Sequence, residues 1–276
     1  MSKTSSQKTL GPVSASFINQ LYAKGKIIFR LDEAVQVYAR GRVETTKFLS
    51  TLTKRGILAR IRPGVYLVLQ MGQEHTQLNN WPLIAHELAD SADNYFLSHY
   101  SAMRLHGITT HSLFDVYITM PARRVSKKIN LLTYHFIYCK PKNFLGRCNY
   151  WVTKQNKIYV SDLERTLLDG LDRPDLCGGM KEVIRGVWIK RDVIDWQKME
   201  KYAMRFSTRA VVKRLGFILE LLNIAKDFRA VLTKVIISAN DYILLDPNGI
   251  RQGQYVSRWR IRLNLNVQEL KAGLWE

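Results

Sequence analysis

The stretch from residue 27 to residue 69 constrains the fold of this chain more than any other part. A helical run at 31–38 is followed by a break at Ala39-Arg40-Gly41 and a second helical run at 43–55. Two apolar strands joined by Arg62-Pro63-Gly64 close the segment. Two helices separated by a glycine turn and followed by a hairpin predict a winged helix-turn-helix, a unit that lies against duplex DNA.

The second helical run has two distinct faces, because side chains of a helix are about 100° apart. The inward face holds Thr45, Phe48, Leu49 and Leu52. The outward face holds Lys47, Ser50 and Lys54, with Val43 near the tip. Lysine and serine can donate to base edges or phosphates, and valine can contact a thymine methyl. The alternative interpretation is a lysine-rich helix exterior that is simply solvated.

The hairpin adds a second set of cations to this segment. Its strands are predicted at 57–61 and 65–69, and Arg62-Pro63-Gly64-Val65 fits a type II turn. Arg60 and Arg62 lie in or beside the tip, which indicates a phosphate or minor-groove contact. Arg40 and Arg42 precede the second helix and are predicted to clamp the DNA backbone. A winged helix that docks a protein is the alternative.

The charge of the chain points to a polyanionic partner. There are 42 Lys and Arg against 23 Asp and Glu, a net charge of +19. Residues 1–70 hold 12 basic and 3 acidic residues, or +9, and the remaining 206 hold 30 and 20, or +10. Positive charge is therefore much denser in the first segment. A balance of this kind favours nucleic acid or an anionic membrane.

Other features of the composition limit the cellular setting. The first ten residues lack the apolar region of a signal peptide, and no apolar run reaches the ~20 residues needed to span a bilayer. The three cysteines form no C-x-x-C pair, which argues against a disulfide framework and for a reducing compartment. We expect a cytoplasmic protein without a membrane partner.

The patterning along the chain predicts an α+β fold in which an N-terminal winged helix-turn-helix precedes a larger mixed α/β C-terminal domain. Strands are predicted at 114–118, 132–138 and 157–160, and the period is helical from Ser161 to about Lys234. Short late strands are predicted within 242–245 and 258–265. The predicted domains are a disordered tail at 1–12, the winged helix at 13–70, a linker at 71–81, and the C-terminal domain at 82–276.

The segment 159–169 contains the sharpest local pattern of the second half. Ser161 and Glu164 have the spacing of a capping box at a helix N-terminus. An alternative is that Asp162, Glu164 and Asp169 hold a metal ion, which would make the chain a metal-dependent nuclease targeted by its winged helix. Helix capping is favoured, because no downstream E-x-K pair at strand spacing supports a nuclease core.

A basic stripe follows in the helical part of the chain. Its members are Arg205, Arg209, Lys213 and Arg214. The stripe is either a solvated helix face or a charged docking surface for an RNA, DNA or protein partner.

Catalytic signatures are absent from the sequence. His99, His106 and His111 match no familiar set of metal ligands, and there is no G-x-S-x-G motif. We therefore expect no metal, no cofactor and no catalytic residue, so that the chain is not an enzyme. A regulator that senses a small molecule remains a third hypothesis, although the sequence offers no pocket signature for it.

Three segments beside the predicted winged helix resemble a known family. They are the segments Leu97-Ser98-His99-Tyr100-Ser101-Ala102-Met103-Arg104-Leu105-His106-Gly107-Ile108-Thr109-Thr110, Val160-Ser161-Asp162-Leu163-Glu164-Arg165-Thr166-Leu167-Leu168-Asp169 and Lys213-Arg214-Leu215-Gly216-Phe217-Ile218-Leu219-Glu220. Together they resemble the AbiEi-type antitoxins of type IV toxin–antitoxin systems, which are linked to abortive phage infection. The resemblance covers roughly residues 14–225, and the segment after about residue 240 does not take part in it.

The resemblance implies a function as well as a domain order. Members of the family join an N-terminal winged helix to a C-terminal antitoxin domain and repress their own operon by binding inverted repeats in double-stranded DNA. Their partner is a nucleotidyltransferase-like toxin, which they counteract without a stable complex. The expected function is therefore that of a DNA-binding transcriptional autorepressor and antitoxin.

Overall fold

A computed structural model describes residues 10–69, 80–90, 93–110, 114–154, 156–236 and 241–272. The fold mixes helices with several sheets, as the α+β prediction requires. The chain divides into two compact units, one of Met1–Ala92 with Lys127–Tyr134 and the other of Asp93–Ser126 with His135–Glu276. The tail predicted at 1–12 falls mostly outside the described residues.

The first unit consists of helices around a small sheet. Its elements are α1 (Pro12–Ala23), β1 (Ile28–Arg30), α2 (Leu31–Tyr38), α3 (Arg42–Lys54), β2 (Leu58–Arg62), β3 (Val65–Val68) and α4 (Trp81–Leu88). The three strands have the order β1-β3-β2, and both pairings are antiparallel. The linker predicted at 71–81 lies almost entirely outside the described residues, so that boundary stays a prediction. Helix α4, which follows it, belongs to the first unit.

An aromatic and aliphatic core holds this unit together. The ring of Phe17 from α1 meets those of Phe29 and Phe48 edge-on, with ring centroids 5.9 and 5.3 Å apart. Tyr38 stacks on Phe48 at 4.2 Å. Such aromatic pairs add about 0.5–1.5 kcal/mol beyond the area they bury. The pairing of Tyr38 with Phe48 therefore fixes α2 against α3.

The turn between α2 and α3 follows from its sequence. Ala39 ends α2 in a left-handed conformation with φ 52°, and Gly41 precedes the first residue of α3. The buried Thr45 hydroxyl donates to the carbonyl of Gly41 at 3.0 Å. It is also within 3.2 Å of the carbonyl of Arg40. The break expected at 39–41 is confirmed.

The second unit is larger and contains most of a six-stranded sheet, part of which comes from Lys127–Tyr134 of the first unit. The strands of the sheet are β4 (Phe96–Leu97), β5 (Asp115–Met120), β6 (Lys127–Ile129), β7 (Leu132–Tyr138), β8 (Arg147–Trp151) and β9 (Lys157–Ser161). Their order is β6-β7-β5-β4-β9-β8. Strand β4 pairs antiparallel with β5 and parallel with β9. The three strands predicted before Ser161 are confirmed as β5, β7 and β9.

Helices follow the sheet in the chain, as the change of period predicts. The helices of the second unit are α5 (His99–Leu105), α6 (Leu163–Asp172), α7 (Met180–Lys190), α8 (Trp196–Phe206), α9 (Arg209–Leu221), α10 (Lys226–Ile236) and α11 (Val267–Ala272). Short 3-10 helices lie at Pro141–Asn143 and Pro174–Cys177. Within the described residues, none of the helices is both long enough and apolar enough to cross a bilayer.

The capping box predicted for α6 is wrong in its residues, although the helix itself is present. Asp162, not Ser161, is the N-cap, and its Oδ1 accepts from the backbone N–H of Arg165 at 2.9 Å. The Ser161 hydroxyl instead lies 2.7 Å from the Thr166 hydroxyl. Glu164 accepts from the backbone N–H of Asp195 at 3.0 Å and so cannot reach back to the start of its own helix.

A second, three-stranded sheet lies near the end of the described chain. Its strands are β10 (Ile243–Leu244), β11 (Gln254–Val256) and β12 (Ile261–Leu263), in the order β10-β12-β11. The fully buried Trp259 packs on Gly216 of α9, where a Cβ would overlap the indole ring. Its Nε1 donates to Glu220 at 3.0 Å. The segment that lies outside the family resemblance therefore completes the core around α9.

Candidate nucleic-acid interface

Helix α3 divides into an inward and an outward face as its sequence predicts. Thr45, Leu49 and Leu52 are buried. Lys47, Ser50 and Lys54 are exposed, and neither lysine makes an ion pair with any of the described residues. Val43 is 62 % exposed at the first turn. The outward face of α3 therefore presents two lysines without ion-pair partners in the described chain, a serine hydroxyl and an exposed valine at its first turn.

The two arginines before and at the start of α3, Arg40 and Arg42, differ in their interactions with the rest of the unit. The Arg42 guanidinium donates to Asp32 of α2, so part of its charge is already balanced. Arg40 is exposed, and its guanidinium lies 5.2 Å from the centre of the Tyr38 ring. Arg40 is consequently the better placed of the two to meet a phosphate.

The hairpin between β2 and β3 turns as its sequence predicts. Gly64 has φ 76°, the left-handed conformation that the third position of a type II turn requires. The carbonyl of Gly64 accepts from the backbone N–H of Leu31 at 2.8 Å, which ties the turn to the start of α2.

The two arginines of the hairpin have different surroundings. Arg60 is exposed. Arg62 is only 23 % exposed and donates from Nη2 to Glu87 of α4 at 2.9 Å. The prediction that Arg62 is an open contact at the hairpin tip is therefore wrong: its guanidinium joins the hairpin to α4. The contact predicted for both stays a prediction for Arg60.

The basic stripe predicted around α9 is half buried. Lys213 is fully buried, and its Nζ donates to the backbone carbonyl of Asp241 at 2.6 Å and lies 3.0 Å from the Asp241 carboxylate. Arg214 is 6 % exposed and donates to the carbonyls of Leu171 and Leu244 at 2.8 and 3.3 Å. Their inclusion in a surface was wrong, because both cations bind the protein's own backbone.

The remaining two members of the stripe stay open to solvent. Arg205 and Arg209 are exposed, and neither side chain makes a hydrogen bond or an ion pair with the residues that the structure describes. Any docking surface in this region is therefore smaller than the sequence indicates.

The three carboxylates of the alternative nuclease site do not form one cluster. Lys198 Nζ lies 3.0 Å from Asp162 and 2.8 Å from Glu164, where it balances one of their two negative charges. Asp169 pairs instead with Arg165 of its own helix at 2.8 Å. Among the described residues there is no group of three or more His, Cys, Asp or Glu side chains arranged to hold a metal ion.

The bonds around Lys198 shift the pKa values of the groups that form them. Burial alone would lower the pKa of Lys198, but its bonds to Glu164 and Asp162 raise the pKa above its usual range. Burial, together with a hydrogen bond to Asp162 at 2.9 Å, raises the pKa of Tyr202 to about 12. Asp162 therefore binds both Lys198 and Tyr202, and Glu164 binds Lys198, in one network of side chains.

Two of the described histidines of the second unit lie near α5, where His99 is buried and His106 is half-buried. His99 and His106 lie in α5 and directly after it, and His111 lies outside the described residues. Burial lowers the pKa of both His99 and His106. A ring nitrogen of His106 lies 2.7 Å from the carbonyl of Ser161, which joins α5 to the end of β9.

A cavity in the second unit is the feature that sequence reasoning missed. It has a volume of about 370 Å³ and lies between the sheet and the helices α6 and α9. His99, Arg165 and Asp169, which come from two of the segments that carry the family resemblance, line it together. Because His99 is more than 60 residues away from Arg165 and Asp169 in the sequence, a local pattern could not predict that they line one cavity. The sequence signal that could have indicated the cavity is the presence of polar residues within otherwise apolar helical segments.

Comparison with known proteins gives a likeness of fold only. The fold is similar to that in the crystal structure of the RV2827C protein from Mycobacterium tuberculosis, with a TM-score of 0.67 and 11% sequence identity. The similarity covers 97% of this chain and 96% of that chain. No family model matches the sequence, and no curated protein matches it. The whole-chain likeness shows that the two units occur together in another protein.

Proposed function

We propose that this chain is a DNA-binding transcriptional autorepressor and an antitoxin of the AbiEi type, with no catalytic activity of its own. In this proposal the first unit is a winged helix-turn-helix that binds operator DNA with inverted repeats. The second unit counteracts a nucleotidyltransferase-like toxin without forming a stable complex with it.

The observation that carries the DNA-binding part is the open face of α3. Lys47 and Lys54 stand exposed without ion-pair partners in the described chain, on the side of the helix opposite the buried Leu49 and Leu52. A helix of 13 residues fits the major groove, and lysines on its outer face can reach phosphates or guanine edges. The core behind it is rigid enough to present that face, since α2 and α3 are fixed by aromatic stacking.

The hairpin and the charge support the same proposal. Arg60 on β2 and Arg40 before α3 give two further exposed cations in the same unit. The net charge of +19 favours a polyanion and would speed its capture by electrostatic steering. Arg62 is left out of the proposed contact set, because its guanidinium is bound to Glu87.

The test of DNA binding is the salt dependence of affinity. We expect the Lys47→Ala, Lys54→Ala double variant to bind a duplex from upstream of its own coding sequence more weakly. The slope of log K against log salt should fall in magnitude by about two, since each lost phosphate contact removes about 0.9. Fluorescence anisotropy over a salt series measures both quantities.

A matched control removes the same charge from another helix. Lys226 and Lys234 of α10 are exposed and also lack ion-pair partners in the described chain. The Lys226→Ala, Lys234→Ala variant should keep the slope of the natural protein. If both double variants lose the same slope, the binding is diffuse and α3 is not the reading helix.

The antitoxin part rests on the family resemblance and is tested separately. We expect a neighbouring gene to encode a nucleotidyltransferase-like toxin, and co-expression with this protein to restore growth. Arg205→Glu with Arg209→Glu reverses the exposed part of the basic stripe without disturbing a described ion pair. Loss of rescue by this folded variant would assign antitoxicity to that surface, whereas full rescue would make it ordinary solvated surface.

A further inference from the structure

The cavity of the second unit is large enough for an organic ligand. Its volume of about 370 Å³ falls within the range of roughly 300–1,000 Å³ that small-molecule sites occupy. Ile137, Leu168 and Val211 give it apolar walls against which a flat ring can pack. Neither the proposed DNA contact nor the proposed antitoxin surface uses this cavity.

Two buried polar atoms in the lining have no hydrogen-bond partner among the residues that the structure describes. They are Asp169 Oδ2 and Ser207 Oγ. The other carboxylate oxygen of Asp169 accepts from Arg165 Nε at 2.8 Å, which fixes the orientation of the group. An unsatisfied buried polar group costs about 1–3 kcal/mol, so native proteins seldom keep one without a use. A bound group that donates an N–H would satisfy Asp169.

A cation stands at the mouth of the same cavity. Lys140 lines it, is exposed, and makes no ion pair with any described residue. The first turn of the 13-residue helix α9 also contributes, through Thr208 and Val211. Helix N-termini and ammonium groups both favour a phosphate. A ligand of this cavity should therefore donate a hydrogen bond at the buried end and carry an anionic group at the open end.

One lining residue is also held in a strained conformation. His99 has φ 51°, a left-handed value that costs a residue other than glycine about 1 kcal/mol or more. Its imidazole is buried and lies 2.8 Å from the Ser98 hydroxyl. Strain of this kind concentrates at ligand sites, where it holds a side chain in a required place.

From these features we infer that the cavity binds a nucleoside phosphate whose base carries an amino group. The amino group donates to Asp169 Oδ2, the ring packs between the apolar walls, and the phosphate meets Lys140 at the mouth. Ser207 supplies a further hydrogen bond. The site is independent of the proposed DNA contact, because none of its residues belongs to the first unit.

The test is calorimetric titration of the full chain with AMP, GMP, CMP and UMP in about 0.3 M salt, which shortens the reach of exposed charges to less than about 8 Å. At least one of the three nucleotides that carry an amino group should bind with a dissociation constant of roughly 10–100 µM, and UMP at least about tenfold more weakly. Inorganic phosphate alone should bind more weakly than the preferred nucleotide.

Three variants connect the binding to this cavity. Ser207→Ala should weaken binding about 2- to 10-fold while leaving the melting temperature unchanged or higher, since its hydroxyl has no hydrogen-bond partner in the described chain. Lys140→Ala should weaken binding to a similar extent. Lys142→Ala is the matched control, because Lys142 is exposed in the short helix that begins directly after Lys140 but does not line the cavity.

The inference is overturned if none of the four nucleotides binds, or if UMP or inorganic phosphate binds as tightly as the others. It is also overturned if Ser207→Ala and Lys140→Ala bind like the natural protein, or if Lys142→Ala loses as much affinity as Lys140→Ala. None of these results bears on operator binding, so the two proposals can fail separately.

Discussion

Helices α3 and α9 both carry cations at helical spacing, but their side chains end in different surroundings. Lys47 and Lys54 of α3 reach solvent without ion-pair partners in the described chain, whereas Lys213 and Arg214 of α9 are buried and bind backbone carbonyls. Charge spacing alone therefore does not identify a binding surface. The apolar residues on every side of α9 distinguish the two helices, because a helix that is apolar all round is buried.

The largest expected effect tests the buried side of this comparison. Arg214→Ala leaves the carbonyls of Leu171 and Leu244 without their donor and opens a hole beside α9. We expect the free energy of unfolding to fall by about 3 kcal/mol. Denaturant unfolding measures it, with Arg209→Ala on the exposed part of the same helix as the control, for which a change within about 0.5 kcal/mol is expected. If both variants lose the same free energy of unfolding, Arg214 is not a buried structural cation distinct from the exposed Arg209.

Two histidines whose pKa is lowered by burial extend the comparison between buried and exposed groups. Burial lowers the pKa of His106 and of His99 in the folded chain, so the unfolded chain binds more protons once the pH falls below the unfolded value of about 6.5. Stability is therefore fully present above that pH and decreases as the pH falls toward the folded pKa values. The slope is at most about 1.4 kcal/mol per pH unit for each histidine.

Unfolding measured between about pH 7.5 and pH 5 checks this dependence. His106→Gln should make the dependence shallower. His135→Gln replaces a histidine that is 31 % exposed and bonded to Asp115, and it serves as the control. A natural protein that is equally stable across this range would contradict the lowered pKa of both histidines.

The smallest expected effect compares two arginines of one hairpin. Arg62→Ala should lower the free energy of unfolding by about 1 kcal/mol, because it removes the half-buried bond to Glu87. Arg60→Ala should leave stability unchanged but reduce the salt slope of DNA binding by about one. The two variants are measured by denaturant unfolding and by anisotropy. The reverse pattern would exchange the roles of the two side chains.

Local pattern predicted much of the first unit. The helix at 31–38 has the predicted bounds, and the inward and outward faces of α3 follow from its period. These features depend on neighbours within a few residues, and the sequence contains that information directly. The strand β1 and its pairing with β3 were not predicted, since a three-residue strand gives no usable period.

Partners that are distant in sequence explain most of the errors. Glu164 binds Lys198 and the backbone N–H of Asp195, whereas the exchange of Ser161 for Asp162 as the cap of α6 is a local error of one residue. Arg62 was likewise engaged by Glu87, 25 residues further along the chain. A titratable side chain binds whatever the tertiary structure brings near, and a linear pattern does not record that choice. The cavity is hidden for the same reason.

The packing of Trp259 on Gly216 has a consequence for the order of events during synthesis. The core around α9 lacks its largest side chain until residue 259 has been made, so the second unit cannot finish folding while those residues are still missing. Nearly all of the first unit is complete by residue 92, and domains generally fold as units in chain order. A young chain on the ribosome would therefore present α3 well before its second unit becomes functional.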